Sequence, residues 1–541
     1  MQPSRAWRNA LVVSLSLVVA ACDVSDIPRD PKRITMAVSR DISSLDPAAT
    51  FLLSNQLAMN LAYEKLVVAE VADGQPTGRM LGQLAERWEA SADGLVWTFF
   101  LRPGHRFDDG SEVTAEAVKF SFERTLKLKA PPSQFLFFLR GVEAVAPYEV
   151  RFTLRTPVPF FLEVLAVPTA SIINPKVMAQ AKGADLGNRW LSTQTAGSGP
   201  YRVSRFEKGQ KVTLTLNPHA KRQPAYFTEI NFLTVKDDAT RVIQLAKGAI
   251  DIVDPVSGAS DAWVAAQPGL DVVASPSPTV AFLHMNNERP LFRDVRVRRA
   301  VSLAIDRELI GKAIYNGRAN LLHGVLPAGV PGHDAELPLP VHDAEAARAL
   351  LREAGVAPGT PVKFTVVGDG SGTSPLALAI SAQLEAVGLK VVIERISTAA
   401  RTKIMKGDFD ITTQSINLDV PDPSIVFNFV YNSAMIGGAN FPRYRNPALD
   451  KLIATADRTL DGEVRAQLYR QAQGIVMQDL PTVPLFQLDW IRAARSDLAG
   501  VRYNFAQPTF YNFESMTRES AASRQAVNPS RSAPTAPRGT G

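Results

Sequence analysis

The 541-residue sequence contains a single cysteine, Cys22. That excludes an internal disulfide framework and any cysteine-rich zinc or iron–sulfur centre. Excess charge is nearly as scarce. The formal net charge is +6, but Arg5 and Arg8 at one end and Arg518, Arg524, Arg531 and Arg538 at the other supply most of it. The stretch between is close to neutral, so there is no excess of charge to condense onto nucleic-acid phosphates. Past the first two dozen residues, no run approaches the roughly 18 apolar residues of a membrane-spanning helix. The six histidines (His105, His219, His284, His323, His333 and His342) show no His-Glu-x-x-His and no pair at ligand spacing. No metal and no cofactor is expected. No internal repeat of about 20–50 residues is present, which argues against a solenoid or propeller.

What is present begins with ordinary globular composition, 46% hydrophobic and 21% charged. At roughly 100–200 residues per domain the length predicts about three domains. At the start, Arg5 and Arg8 precede an apolar run from Ala10 to Ala21, then Cys22 and Asp23. This is the layout of a secretory signal, residues 1–21, too short for an ordinary transmembrane helix. Val19-Ala20-Ala21-Cys22 resembles a bacterial lipobox, in which the chain is cut before the cysteine and the thiol is acylated. Acyl chains on Cys22 would anchor the protein firmly, since stable attachment takes more than one chain. In Gram-negative lipoproteins an Asp after the cysteine resembles an inner-membrane retention signal, so Asp23 is the candidate sorting residue. The expected location is periplasmic, anchored to the inner membrane, or otherwise extracytoplasmic. Residues 22–32 read as the anchor linker. The end, 517–541, is rich in Ala, Ser, Pro, Arg and Gly without apolar periodicity and reads as a disordered tail.

Between these ends, strands are expected over 33–38, 97–101, 150–154 and 212–216 from alternating or β-rich patterns. Ser43-Ser44-Leu45-Asp46-Pro47 is turn chemistry, and Thr114 caps a helix whose Val118, Phe122 and Leu126 share a face. From about residue 290 the texture becomes alternating helix and strand. Asp294 caps a helix with Gly317 as its stop, and Asp343 caps another ending at Gly355. Then come a strand at 362–367, a Gly-rich loop, a helix opened by Ser374-Pro375, and a strand at 389–396. In one sheet this β-α-β unit is parallel and right-handed.

Three chemical motifs suggest themselves and fall short. Gly368-Asp369-Gly370-Ser371-Gly372 with Glu394 downstream imitates a dinucleotide fingerprint, but the sixth position is Thr373. Gly197-Ser198-Gly199-Pro200 lacks nucleophile-elbow spacing and reads as a tight turn. Asp108 and Asp109, adjacent in a turn, read as solvated rather than catalytic. No catalytic constellation emerges.

Several stretches taken in order resemble the family 5 extracellular solute-binding proteins, the peptide/nickel class that serves ABC importers. They are Leu84 to Trp88 through Ser91-Ala92-Asp93-Gly94 to Trp97–Arg102; Phe107-Asp108-Asp109-Gly110; and Gly197–Tyr201. Leu245 to Ile252, Pro290 to Arg307, Ala347 to Gly355 and Asn446 to Asp450 complete the set.

The resemblance covers about residues 33–516 and implies an α/β, two-lobed periplasmic-binding-protein type II fold with a hinged interlobe cleft. One lobe would comprise 33–60, 190–283 and 492–516, with an extra domain, 61–189, inserted in it. The second lobe would be 284–491. The implied role is the non-enzymatic substrate-binding component of an ABC importer, a monomer that delivers a ligand to permease subunits served by cytoplasmic ATPases. A peptide is the leading ligand; a nickel chelate, opine or oligosaccharide fits the same role, and an extracytoplasmic hydrolase is the rival of a different class. Asp419 matches the family's Asp that pairs with a ligand α-ammonium, flanked by Asn417 and by Ile416, where many relatives carry Trp. His284 lies at the first crossing between lobes, and Phe51 to Ser54 resembles another ligand-lining segment. Asp422, just before Pro423, reads as structural.

Overall fold

The computed structural model describes residues 30–519 apart from 73–74, 225, 340, 369–373, 419, 503–504 and 506–510. The first strand, Arg33–Val38, is hydrogen-bonded in parallel to Glu229–Thr234 on one side and to Ile252–Asp254 on the other. Its alternation feeds two cores. Ile34, Met36 and Val38 pack with Leu214, Ile230 and Phe232, while Ala37 faces Val242, Leu245 and Val253. A strand covered on both faces reads as an almost continuous apolar run, and this one does.

That strand belongs to an eleven-stranded mixed sheet that runs through both lobes. Two long antiparallel strands carry it across: Leu270–Met285 and Thr482–Arg495. Their pairing is continuous from Leu270–Arg495 to Pro276–Asp489, breaks, and resumes at Val280–Gln487. Pro276 and Pro278 supply no amide donor at the break. Side chains bridge it instead: Ser277 Oγ donates to Leu488 O (2.7 Å) and Gln487 Nε2 to Ser277 O (3.0 Å). The break in pairing falls at 276–280 and 487–489, within several residues of the steps between lobes expected at 283/284 and 491/492. Phe282 and Leu283 already lie in second-lobe cores.

In the second lobe, Thr360–Val367 and Leu389–Ile396 are parallel neighbours joined through the helix Pro375–Ala386, the β-α-β unit expected. The Gly-rich loop before that helix lies mostly outside the described residues. Asp294 and Asp343 cap their helices by accepting from Arg296 N and Ala346 N. The helix expected to run on to Gly317 instead ends at Ala304. Asp306, accepting from Leu309 N, starts a second one, Arg307–Tyr315. A second N-cap Asp inside the periodic stretch explains the interruption.

The segment inserted in the first lobe has its own sheet, ordered 85–90, 96–101, 149–154, 139–146, with the helix Ala115–Leu128 packed on it. Phe122 meets Phe152 edge-on at 4.9 Å, and Phe152 meets Phe99 at 5.5 Å. Its tie to the first lobe is a buried ion pair. Arg124 Nη1 and Nη2 donate to Asp46 at 2.8 and 2.6 Å, and Asn188 adds a third bond to that carboxylate. The Asp46-Pro47 turn is thus pinned by the inserted domain.

Gly197-Ser198-Gly199-Pro200 is a close backbone approach. A Cβ on Gly197 would lie 2.0 Å from Ala62 O, and one on Gly199 2.4 Å from Leu61 O. Only glycine lets this turn lie against the end of the helix Leu53–Ala62.

One expectation at the end of the chain is corrected. Residues 517–519 are not tail: Thr517–Arg518 pairs with Leu498–Ala499, and Arg518 bridges Asp251 (3.1 Å) and Asp497 (3.0 Å). Two opposed carboxylates hold a cation that composition alone assigned to a solvated segment. The remainder of that segment, and Cys22 and Asp23, lie outside the described residues.

Candidate functional site: a cleft at the lobe crossing

Where Val38 ends the first strand, the chain turns out of the sheet through Ser39, Arg40 and Asp41. It returns past the pinned Asp46 turn to enter the helix Leu53–Ala62 at Phe51 to Ser54. Ser54 Oγ donates to Asp41 O (2.9 Å), clamping the two segments together. Gln56 Nε2 donates to Phe51 O (3.0 Å), and the Phe51 ring meets Phe135 of the inserted domain edge-on at 4.6 Å.

Opposite them stands the second lobe. Thr279, at the start of its share of the first crossing strand, pairs with Asn417, and Thr279 Oγ1 donates to Asn417 Oδ1 (3.0 Å). Between these walls lies a cleft of about 650 Å³. Phe51 and Ser54 line it from the first lobe, Ser415 and Asn417 from the second, with Asp254 and Trp490 where the two walls meet. That volume is in the range of small-molecule sites.

The expected residues divide as follows. Phe51, Ser54 and Asn417 line one cleft although they are far apart in sequence. Ile416 does not join them. On the strand Ile411–Asn417, side chains alternate, so Ser415 and Asn417 face the cleft while Ile416 packs with the Val280 and Phe282 core. The aromatic side chains of this cleft are Phe51 and, on the second crossing strand, Trp490. His284 is also absent from the lining. It is fully buried between Phe282 and Phe441, its Nδ1 3.0 Å from Thr482 Oγ1. Burial alone pushes its pKa down to about 3, so it stands as a neutral core histidine. Asp419 lies outside the described residues.

Asp422 is engaged in holding structure, as expected. It caps the short helix Pro423–Val426 and takes a two-pronged ion pair from Arg465 at 2.6 and 2.8 Å. Asp108 differs from its solvated reading: burial first, then the neighbouring Asp109, pushes its carboxyl up to about 6. Among the described residues, no group of three or more His, Cys, Asp or Glu side chains is placed to hold a metal ion. No described helix is long and apolar enough to cross a membrane.

Asp254 and Trp490 were missed at the level of sequence. Asp254 ends the three-residue strand Ile252–Asp254 that continues from the Gly-x-x-Asp-Ile segment, and nothing local distinguishes it. Trp490 could be placed only by the register of two strands separated by about 200 residues.

The family model "Bacterial extracellular solute-binding proteins, family 5 Middle" matches residues 79–438. A relative from Escherichia coli (strain K12), "Probable D,D-dipeptide-binding periplasmic protein DdpA", is 32% identical over 511 residues, covering 94% of this chain and 98% of its own. "Di/tripeptide-binding protein 2" of Pseudomonas aeruginosa (strain UCBPP-PA14) is 28% identical, covering 92% and 97%. Among solved structures, the periplasmic binding protein DppA from Helicobacter pylori in complex with the peptide STSA superimposes with a TM-score of 0.77. It is 25% identical, and the match covers 90% of this chain and 98% of that one.

Proposed function

The chain belongs to the bacterial extracellular solute-binding proteins of family 5, and from that premise we propose that it captures a short peptide in the cleft between its lobes for an ABC importer. The observation that carries this reading is the cleft itself, lined from both lobes at the point where the two crossing strands lose register. Binding favours the closed state only as far as the ligand touches both walls better when they are shut. The relatives named for dipeptides, di- and tripeptides and a bound tetrapeptide favour peptide over nickel chelate, opine or oligosaccharide. The family consists of binding proteins, which favours a receptor over a hydrolase.

In this reading Asp419 pairs with the ligand's α-ammonium, while Asn417, Ser54 and Phe51 form the walls around the backbone. A carboxylate in a closed, low-dielectric cleft pairs with an ammonium far more strongly than in water. Cys22 carries the lipid anchor and Asp23 directs retention at the inner membrane; the receptor works as a monomer and docks on its permease. The test is native mass spectrometry of residues 23–541 purified without denaturation, then repeated after unfolding. Released masses of short peptides support the reading; a chelate, opine or sugar mass replaces the ligand class and keeps the transport role. Small-angle scattering with the released ligand should show a smaller radius of gyration, and an unchanged one overturns closure. For the anchor, Cys22→Ser in the full chain should move the protein from the membrane to the soluble fraction.

A further inference from the structure

Among the described residues, three ionisable side chains line the cleft: Arg40, Asp41 and Asp254. Two of them are engaged. The Asp254 carboxylate takes a hydrogen bond from Tyr511 and lies 3.4 Å from Arg492 Nε, and both groups, with Trp490, favour its charged form against burial. Asp41 Oδ1 accepts from Gly209 N at 3.1 Å, in the turn between the strands Tyr201–Glu207 and Lys211–Leu216 of its own lobe. Arg40 differs. It is exposed just past the end of the first strand, and among the described residues its guanidinium has no hydrogen-bond or ion-pair partner. The rest of the described lining does not answer that charge. Ser54, Thr279, Ser415 and Asn417 are neutral, and Val38, Leu52, Leu57 and Pro255 are apolar.

On an open surface an ion pair gains little, because water screens it. In a cleft that shuts, the same pair passes into a lower dielectric and strengthens several-fold. Arginine also presents a planar fork of N–H donors that matches the two oxygens of a carboxylate. A ligand ammonium would be repelled from this wall, and a neutral amide would leave the guanidinium charge unanswered. We propose that Arg40 is a specificity residue that pairs with a carboxylate of the ligand as the cleft shuts. This deepens the peptide reading above and rests on it. In a peptide that carboxylate is the C-terminal one or belongs to an acidic side chain, and the choice of probe separates the two.

The test is calorimetric titration of the full mature chain with two pairs of probes, each in the L,L and D,D forms. Alanyl-alanine is set against alanyl-alaninamide, which loses only the C-terminal charge. Alanyl-glutamate is set against alanyl-glutamine, which loses only the side-chain charge. In at least one pair wild type should bind the acid about tenfold more tightly than the amide, and that pair identifies the carboxylate. Arg40→Gln should bring the ratio close to one by weakening the acid while leaving the amide nearly unchanged. Arg40→Lys, which keeps the charge without the fork, should give an intermediate ratio. Arg40→Gln removes no bond among the described residues, so its thermal unfolding midpoint should match that of wild type. Ratios near one in both pairs for wild type overturn the role, as does an undiminished ratio in Arg40→Gln. Binding of other dipeptides but none of these probes overturns it too, since the probes present both kinds of carboxylate. Failure to bind any member of a di- and tripeptide library overturns the peptide reading itself.

Discussion

Glu163 offers a direct test of how the inserted domain sits against the second lobe. It lies on the helix Phe161–Ala166, near Asp422 and Arg465 of the second lobe. Arg465 is fully engaged, giving two bonds to Asp422 and a third to Ala456 O at 3.2 Å. Glu163 therefore faces a neutralised pair rather than a free cation. Burial first, then the Asp422 charge, pushes its carboxyl from 4.5 up to about 7, with Arg465 opposing only in part. At about 1.4 kcal/mol per unit the whole shift amounts to about 3 kcal/mol, and the side chain's partial exposure brings the expectation to about 1–2. The sign follows from proton counting. Between pH 4.5 and 7 the folded protein keeps a proton that the unfolded chain releases, so stability falls as pH rises through that window and stays lower above it. Glu163→Gln carries the neutral form at every pH. Urea unfolding near pH 5 should give nearly equal midpoints for the two proteins. Near pH 8 the variant should be the more stable by about 1–2 kcal/mol. A variant no more stable than wild type at the higher pH would refute the desolvated carboxyl beside Asp422.

His284 gives the opposite slope. Its folded pKa of about 3 lies below the ordinary 6.5, so its contribution is intact above pH 6.5 and is lost as pH falls toward 3; His284→Phe should move the acid-unfolding midpoint, followed by circular dichroism, to lower pH. Arg124→Met leaves Asp46 charged and buried and should cost about 3–5 kcal/mol in thermal unfolding, most of it recovered in the Asp46→Leu, Arg124→Met double variant. Gly199→Ala would force a Cβ against Leu61 O and should cost about 3 kcal/mol or abolish folding, whereas Gly141→Ala, with nothing within 4 Å, should change thermal stability by less than about 0.5 kcal/mol.

What could be read in the chain is what depends on near neighbours. Strand alternation at 33–38 and the Asp caps at 294 and 343 involve side chains acting within a few residues, and the structure places them as the pattern requires. Thr114 and Ser374 occupy N-cap positions, yet neither side chain makes a capping bond. Pattern locates such a boundary without specifying what holds it. Ile416 shows information present but unused: once 411–417 is a strand, a period of two puts Ile416 on the face away from Ser415 and Asn417. His284 shows the reverse. Nothing in its neighbours tells that Phe441 and Thr482 will enclose it, because both arrive from over 150 residues away.

The cleft is the extreme case of the same rule. Its walls come from separate segments, each an unremarkable loop or strand end alone, and their meeting depends on a single long-range setting. If the pairing of the two crossing strands were one residue out of step, every side chain of Thr482–Arg495 would change face. Trp490 would leave the cleft, and Arg492 would leave Asp254. The register break at Pro276–Val280 therefore does two jobs that local sequence cannot express. It interrupts the backbone ladder between the two crossing strands, and it decides which side chains the walls present to the cleft.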